Sequence, residues 1–224
     1  MIKHLHLCII FLVISALTFS ACKKDKDPSG SRKISFKIAM ANLGHTTTYA
    51  TAGGTWTSAV LNVDKFTYKV KLKGHHVYSD QFSGLWNVNL LTQNQEFWNI
   101  TIPRKLVFDE IETTINLTPS AIHPPLTLKA LFTLPNGIQL PAEFYFNDLA
   151  TMDLTIDGID ASKRDEFLAT VYLDVNDIFE YLDYSKLAKA ANSEGKVVIS
   201  STSNVELYNQ AKTALNESYY ISVD

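Results

Sequence analysis

Apolar and polar residues alternate along most of the chain after residue 33, and this period of two constrains the fold more than any other feature. In residues 66–73, Phe66, Tyr68, Val70 and Leu72 alternate with threonine and lysine. Successive side chains of a strand point to opposite faces, so such a segment has one buried face and one solvated face. Lysines on the solvated face also discourage pairing of the strand with another chain.

A hairpin over residues 126–132 and 138–146 is the clearest pair of strands. Asn136-Gly137 separates the two segments, and this dipeptide readily adopts the positive φ angles of a tight turn. Parity predicts Phe132, Phe144 and Ile138 on the buried face. Pro141 cannot donate a ladder hydrogen bond, which predicts an edge strand or a bulge there.

Two residues of this hairpin, Lys129 and Tyr145, have the opposite parity and are predicted to face solvent.

Further strands are expected over residues 33–40, 84–91, 105–117, 152–157 and 167–175. This spacing predicts an antiparallel Greek-key β-sandwich, with residues 33–224 as one domain.

The C-terminal quarter, about residues 176–216, has the pattern of short helices. Asn176 and Asp183 precede apolar residues at helical spacing, and Asn and Asp are favoured at helix N-caps. We expect these helices to pack on one end or edge of the sandwich, without a separate core.

The first 21 residues resemble a bacterial lipoprotein signal peptide. Lys3 is followed by an apolar run over residues 5–17, and small residues lead through Ala21 to Cys22. The run is too short for a membrane span. The resemblance implies cleavage between Ala21 and Cys22 and acylation of Cys22, palmitate included. The alternative is an ordinary secretory signal with an accidental cysteine.

Residues 22–32 are charged and then rich in Pro, Ser and Gly, which is typical of a flexible tether. The run after Cys22 resembles the charged export signals of Bacteroidota surface lipoproteins, although a solvated tether has the same composition. Three acyl chains are enough for stable anchoring. We therefore expect a protein held by lipid in the bacterial outer membrane and exposed at the cell surface.

Charge and cysteine content exclude several functions. The formal charge is −3, or −4 once Lys3 leaves with the signal, which does not favour a nucleic-acid partner. Cys8 also leaves and Cys22 is lipidated, so the folded domain has no thiol for a disulfide, a nucleophile or a metal.

No pattern of catalytic or metal-ligating residues stands out. His75 and His76 are adjacent, and neighbouring residues of a strand point apart. Asp174, Asp177, Glu180 and Asp183 lack the spacing of a calcium loop, although calcium stays open as a weaker alternative. We predict no metal, no cofactor and no catalytic residue, hence no enzyme.

Trp56 and Trp98 are the candidate ligand-stacking residues. Trp56 follows Gly53-Gly54-Thr55, which has the composition of a loop, and Trp98 follows a polar run. An exposed tryptophan can stack on a sugar or anchor a protein partner. The alternative is a tryptophan that folds back over an open end of the sandwich.

The ordered part resembles a group of Bacteroidota lipoproteins related to the domains of unknown function numbered 4382. The similarity covers roughly residues 33–190. Its motifs are residues 61–66, 88–91, 108–111, 126–146 and 173–176. The resemblance implies a transthyretin-like or immunoglobulin-like sandwich, implies no established activity and transfers no catalytic residue.

Together these patterns predict a non-enzymatic envelope lipoprotein that acts as a binding, adhesion or assembly module. Its expected partners are the membrane, through the anchor, and a glycan or a protein. The alternative is a glycan-processing hydrolase or a carbohydrate-binding component of a glycan-uptake system.

The anchor can be tested with one substitution, Cys22→Ser. We expect it to release the protein from membranes or to stall its processing, because no other residue can receive the lipid. Membrane fractionation and immunoblotting measure this. Equal membrane association of the variant and the parent would contradict lipidation.

Overall fold

Two β-sheets and three short helices make up the fold, which is mostly β and has the architecture of a β-sandwich. The computed structural model describes residues 30–41, 48–49, 52–92, 96–118, 124–134, 136–190, 192–216 and 218–224. The predicted fold class is therefore confirmed. The predicted signal peptide, its predicted cleavage site and Cys22 lie outside the described residues.

Thirteen strands and three helices are present in this part of the chain. The strands are β1 Ser31–Met40, β2 Thr48–Tyr49, β3 Ala52–Leu72, β4 His75–Asn89, β5 Glu96–Pro103, β6 Glu110–Leu117, β7 Leu126–Thr133, β8 Gln139–Phe146, β9 Thr151–Asp157, β10 Glu166–Leu173, β11 Asn192–Ser193, β12 Lys196–Ser200 and β13 Tyr219–Val223. The helices are α1 Asp177–Tyr181, α2 Tyr184–Leu187 and α3 Val205–Asn216.

The smaller sheet, sheet A, has the order β13-β10-β1-β5. The larger sheet, sheet B, has the order β11-β12-β8-β7-β3-β6-β9, with β2 and β4 also paired to β3. Two pairs are parallel, β1 with β10 and β8 with β12. The prediction of a fully antiparallel sandwich is wrong at these pairs, because side-chain periodicity carries no information on strand direction.

Strand β3 has 21 residues and holds sheet B together. One of its edges pairs with β4 over residues 60–72. Its other edge pairs first with β7, over residues 53–61, and then with β6, over residues 63–71. Strands β6 and β7 therefore lie end to end along one edge of β3.

Two register shifts in β3 change which residues face inward. They lie between Trp56 and Ser58 and between Val63 and Lys65. Buried apolar positions are even at Trp56, odd from Ala59 to Val63 and even again from Phe66. Each bulge adds one residue and bends the strand, so β3 keeps a continuous inner face while it curves.

Asn62 lies where β6 ends and β7 begins. Its backbone N–H donates to Pro125 O at 2.8 Å, and its side-chain Nδ2 donates to Pro124 O at 2.5 Å. Asn62 is 4 % exposed. A buried amide that binds the incoming chain at two points positions the start of β7 on the same edge of β3.

The half of the molecule around the C-terminal part of β3 is a sandwich. Sheet A covers the inner face of β4, β3, β6 and β9. Phe36 of β1 packs on Phe66 of β3 with ring centroids 4.7 Å apart and on Tyr68 at 5.8 Å. All three rings are buried.

The half around the N-terminal part of β3 is covered by helices instead. Phe179 of α1 packs edge-on against Phe132 of β7 at 5.3 Å, and Tyr208 of α3 packs on Phe146 of β8 at 5.6 Å. The helices therefore lie over the inner face of β7 and β8, and both halves share one core. The prediction placed them only at an end or edge of the sandwich.

The predicted hairpin is confirmed in its strands and differs in its turn. Phe132 and Phe144 are both fully buried, as parity predicts. Ile138, however, is 57 % exposed because it lies in the turn, where Leu134 N–H donates to Ile138 O at 2.9 Å. Pro141 lies in an inner strand, and its neighbour β12 begins to pair only at Ala142.

Asp183 caps α2 as predicted, and its carboxylate accepts hydrogen bonds from the backbone N–H groups of Ser185 and Lys186. Asn176 occupies the N-cap position of α1 but makes no side-chain cap hydrogen bond. Its Oδ1 accepts from Trp56 Nε1 at 3.2 Å, and its Nδ2 donates to Ala41 O at 3.4 Å. Asn176 therefore joins α1 to β1 and β3.

Gly54 is required where α1 meets β3. An added Cβ would lie 2.5 Å from Cε1 of Phe179. The Phe179 ring cannot easily move away, because it stacks on Trp56 at 4.5 Å and is 1 % exposed.

We expect Gly54→Ala to lower the free energy of unfolding by about 1–3 kcal/mol, the usual cost of overpacking a core. Urea denaturation measures this. The matched test is a double-mutant cycle with Phe179→Leu, which frees space, so the double variant should be more stable than the sum predicts. Additive effects would contradict the contact.

Candidate functional site

The outer face of sheet B, in the sandwich half, is polar throughout its described outward positions on β3, β6 and β9. Lys71 of β3 pairs with Glu110 at 3.0 Å and also with Glu112, both on β6. Thr114 of β6 donates to Asp153 of β9 at 2.6 Å. Charged side chains that satisfy one another on an open sheet face are typical of a solvated surface.

The outer face of sheet A also carries polar side chains, among them Ser35 and Thr170, but it differs because two tyrosines lie on it. Tyr172 of β10 and Tyr220 of β13 are direct register partners, and their rings stack with centroids 5.1 Å apart. Tyr220 is 51 % exposed. Ala39 is the register partner of Tyr172 and is 2 % exposed, and Leu168 lies four positions before Tyr172 on the same face. We call this surface, made of Lys37, Ala39, Leu168, Tyr172 and Tyr220, the tyrosine face.

Strand alternation places these side chains outside. In β10, Phe167, Ala169, Val171 and Leu173 face the core, so Leu168 and Tyr172 face outward. In β13, Ile221 and Val223 pack against the core, so Tyr220 faces outward. The sequence contains a signal that Tyr172 faces outward, because this aromatic residue has the parity opposite to that of the core residues in its strand. Tyr220 has no such signal, because no strand was predicted there.

Lys37 is the charged member of the tyrosine face. It is half-buried, and among the described residues no carboxylate lies within ion-pair distance of its ammonium group. The neighbouring Lys33, by contrast, pairs with Glu96 at 3.6 Å. Glu96 is the register partner of Lys37 on β5, and its carboxylate pairs with Lys33. The face therefore combines the two tyrosine rings with a cation that lies opposite an already paired carboxylate.

Trp56 does not lie in a loop, so it is removed from the candidate ligand-stacking residues. It lies within β3, is 9 % exposed, and packs between Phe179 at 4.5 Å and Phe144 at 5.9 Å. Gly53-Gly54 has the composition of a turn, but here it lets α1 approach the strand. The alternative expected a tryptophan that folds back over an open end of the sandwich, whereas Trp56 is a buried residue within a strand.

Trp98 lies in β5 rather than in a loop, and it is half-buried. Its ring is 3.9 Å from that of Phe82 on β4. Strands β4 and β5 are the edges of the two sheets on one side of the sandwich, and these rings pack against the core between them. Trp98 thus covers an open edge of the sandwich, and the tyrosine face offers a more exposed ring.

Three of the four acidic residues considered for calcium make separate contacts. Asp174 accepts from the N–H of Asn176, Asp177 accepts from the Ser218 hydroxyl, and Asp183 caps α2. Within the described residues, no three His, Cys, Asp or Glu side chains are grouped so that they could hold a metal ion.

Glu143 of β8 is the most buried carboxylate among the described residues, at 8 % exposure. Lys196 approaches it at 2.8 Å, Lys129 at 2.9 Å and the Tyr145 hydroxyl at 2.6 Å. Burial opposes its ionised form, but these hydrogen bonds outweigh burial and lower the pKa of Glu143 to about 2. Burial and the hydrogen bond to Glu143 raise the pKa of Tyr145 to about 12.

The Glu143 network has the geometry of a structural ion cluster. It ties β7, β8 and β12 together on the outer face of sheet B, and both lysines hold the carboxylate ionised. A carboxylate held so strongly in its charged form is a poor general acid at neutral pH. Lys129 and Tyr145 lie on the outer face, as predicted, but each is engaged there.

A cleft of about 280 Å³ opens between α2 and the start of α3. Lys186, Lys189 and Glu206 contribute its charged side chains. Lys186 pairs with Glu206 and lies 3.9 Å from Asp183. These pairs connect the two helices, and the cleft brings together none of the residues that the sequence pointed to.

Comparisons with known proteins find no match for this chain among protein-family models, curated proteins or solved structures. The resemblance to the Bacteroidota lipoprotein group, and to transthyretin-like or immunoglobulin-like sandwiches, stays a prediction. Over the described part of the chain, no helix has the length and apolar character needed to cross a membrane.

We expect Glu143→Gln to lower the free energy of unfolding by about 2 kcal/mol at pH 7, after allowance for solvent screening of the lysines. Because folding lowers the pKa of Glu143 from its ordinary 4.5 to about 2, its contribution is complete above pH 4.5 and is lost as the pH falls toward 2.

Urea denaturation at pH 7 and pH 3 measures the difference in the free energy of unfolding between the parent and the variant. This difference should be smaller at pH 3. The matched control is Glu206→Gln, because Glu206 also pairs with a lysine but is 67 % exposed at its side chain. A pH-independent difference for Glu143→Gln would contradict the ion cluster.

Proposed function

We propose that this chain is a lipid-anchored protein of the bacterial cell envelope whose sandwich domain is a non-enzymatic binding module. The N-terminal segment, with its apolar run and Cys22, supports the anchor. The tyrosine face supports the binding role, and its contrast with the charged outer face of sheet B is the observation that carries it.

The physical reason lies in what each face loses on binding. A partner on the outer face of sheet B would have to desolvate lysines and carboxylates that already satisfy one another. On the tyrosine face, Tyr220 and Tyr172 offer large apolar area at a low cost in side-chain entropy, together with a hydroxyl that can donate a hydrogen bond. Tyrosine is enriched in binding interfaces for these reasons.

The proposed partner is a glycan or a protein of the cell envelope. Tyrosine rings stack on the apolar faces of sugars, and Lys37 suits a carboxylate or phosphate group on the same ligand. Strands hold both tyrosines, so the site is rigid and little ordering is required on binding.

A glycan-processing hydrolase receives less support. Such enzymes need two carboxyl groups about 5–10 Å apart across a bound sugar, one of them able to give up a proton. Glu110 and Glu112 are close together, but both bind Lys71 on the open face of sheet B. Their charges are neutralised there, and the surface around them is an open strand face.

Binding to an array of bacterial-surface glycans, with the Tyr220→Ala variant beside the parent, tests this proposal. We expect Tyr220→Ala to weaken binding about tenfold or more, since an aromatic anchor typically contributes over 1 kcal/mol. Tyr181→Ala is the matched control, because Tyr181 of α1 is similarly exposed, at 47 %, but lies outside the tyrosine face.

An equal loss of glycan binding in the Tyr220→Ala and Tyr181→Ala variants would contradict a specific role for the tyrosine face. Binding that neither variant changes would place the site elsewhere. Both variants should keep the melting temperature of the parent, since each ring is about half in solvent.

A further inference from the structure

The chain enters the described structure at one end of the sandwich, close to the loop between β5 and β6. The N–H of Arg104 in this loop donates to Gly30 O at 2.9 Å. Gly30 lies eight positions after Cys22. A fully extended chain of that length spans at most about 28 Å. If Cys22 is lipidated, as proposed above, this end must stay near the bilayer.

The loop presents an apolar side chain outward. Val107 is 49 % exposed, whereas the next residue, Phe108, is 1 % exposed and packs on Phe167 at 5.5 Å. Arg32 anchors the loop from inside, with Nη1 donating to Leu106 O at 2.7 Å and also to Arg104 O. Val107 is therefore held at the surface between the half-buried Leu106 and the buried Phe108.

Cationic side chains lie around this loop, together with the carboxylates of Asp109, Asp157 and Glu166. Lys105 belongs to it, and Lys73 lies in the β3–β4 turn, where its N–H donates to Asp109 at 3.0 Å. Arg164 comes from the β9–β10 connection, which approaches the same loop because Arg104 pairs with Asp165 at 2.6 Å. Lys105, Lys73 and Arg164 are all exposed.

Acidic groups at this end are partly neutralised. Asp165 pairs with Arg104, and Asp160 pairs with Lys163 at 2.8 Å. For Lys73 and Lys105, no carboxylate of the described residues lies within ion-pair distance. An apolar residue with cations around it is the arrangement that favours the headgroup region of a bilayer.

We propose that this end docks on the bilayer that holds the lipid anchor, with Val107 inserted among the headgroups and Lys73, Lys105 and Arg164 on lipid phosphates. The inference rests on the proposed lipidation of Cys22. Docking at this end would orient the molecule on the bilayer, because the Asn136-Gly137 turn would then lie far from the membrane. The turn lies beyond the opposite end of β3, whose 21 residues would span about 65 Å if the strand were straight.

The chain provides a matched pair of probe sites. Val107 and Ile138 are exposed aliphatic residues, at 49 % and 57 %, and lie at opposite ends of β3. Once the signal peptide is removed and Cys22 is acylated, the chain has no other thiol. Val107→Cys or Ile138→Cys can therefore be labelled singly with an environment-sensitive nitrobenzoxadiazole fluorophore.

The experiment uses the processed, acylated full chain in nanodiscs of phosphatidylcholine and phosphatidylglycerol, with and without a spin-labelled quencher lipid. We expect the probe at residue 107 to be quenched about twofold or more and the probe at residue 138 to be unaffected. Lys73→Gln with Lys105→Gln should reduce quenching at residue 107, and raised salt should act in the same direction.

Failure of docking and failure of anchoring give different results. Protein that does not co-elute with nanodiscs overturns the lipid anchor, and the docking with it. Protein that co-elutes without quenching at residue 107 overturns the docking and leaves the anchor in place. Equal quenching at both residues overturns the orientation, and quenching that is insensitive to the lysine substitutions overturns the role of lipid phosphate.

Discussion

One strand, β3, carries the constraint on which the rest of the structure depends. Its 21 residues form a single inner face that two different layers cover, sheet A over its C-terminal part and helices over its N-terminal part. Strands β6 and β7 lie end to end on one of its edges, and Asn62 binds the chain just before β7 at that point. Buried aromatic rings on both parts of β3 supply much of the apolar burial that stabilises the domain.

The division of covering layers also separates the surfaces. In the sandwich half, sheet A turns Tyr172 and Tyr220 outward, while the outer face of sheet B binds its own lysines and carboxylates. The loop that carries Val107 closes the end where the chain enters at Gly30. The proposed lipid at Cys22, the proposed bilayer contact at Val107 and the proposed ligand on the tyrosine face are compatible, because they occupy different parts of the molecule.

Much of the fold could be predicted from the sequence, since alternation reports burial directly. Phe132 and Phe144 are buried as parity requires, and Asp183 caps a helix. The failures have identifiable causes. Two bulges in β3 reverse the parity and hide a continuous strand, and Gly53-Gly54 gives Trp56 the sequence context of a loop residue. Ile138 has core parity but lies in a turn, and Asn176 has the chemistry of a cap but binds Trp56.

The sequence by itself determined the β class and the buried face of each regular strand. It also carries the predicted lipid anchor, because a signal peptide is recognised as linear sequence. Only the tertiary structure decided which strands pair, which pairs are parallel, and that helices replace sheet A over half of sheet B. Those choices depend on contacts between residues far apart in the chain, such as Tyr172 with Tyr220 or Gly54 with Phe179, and local periodicity does not encode them.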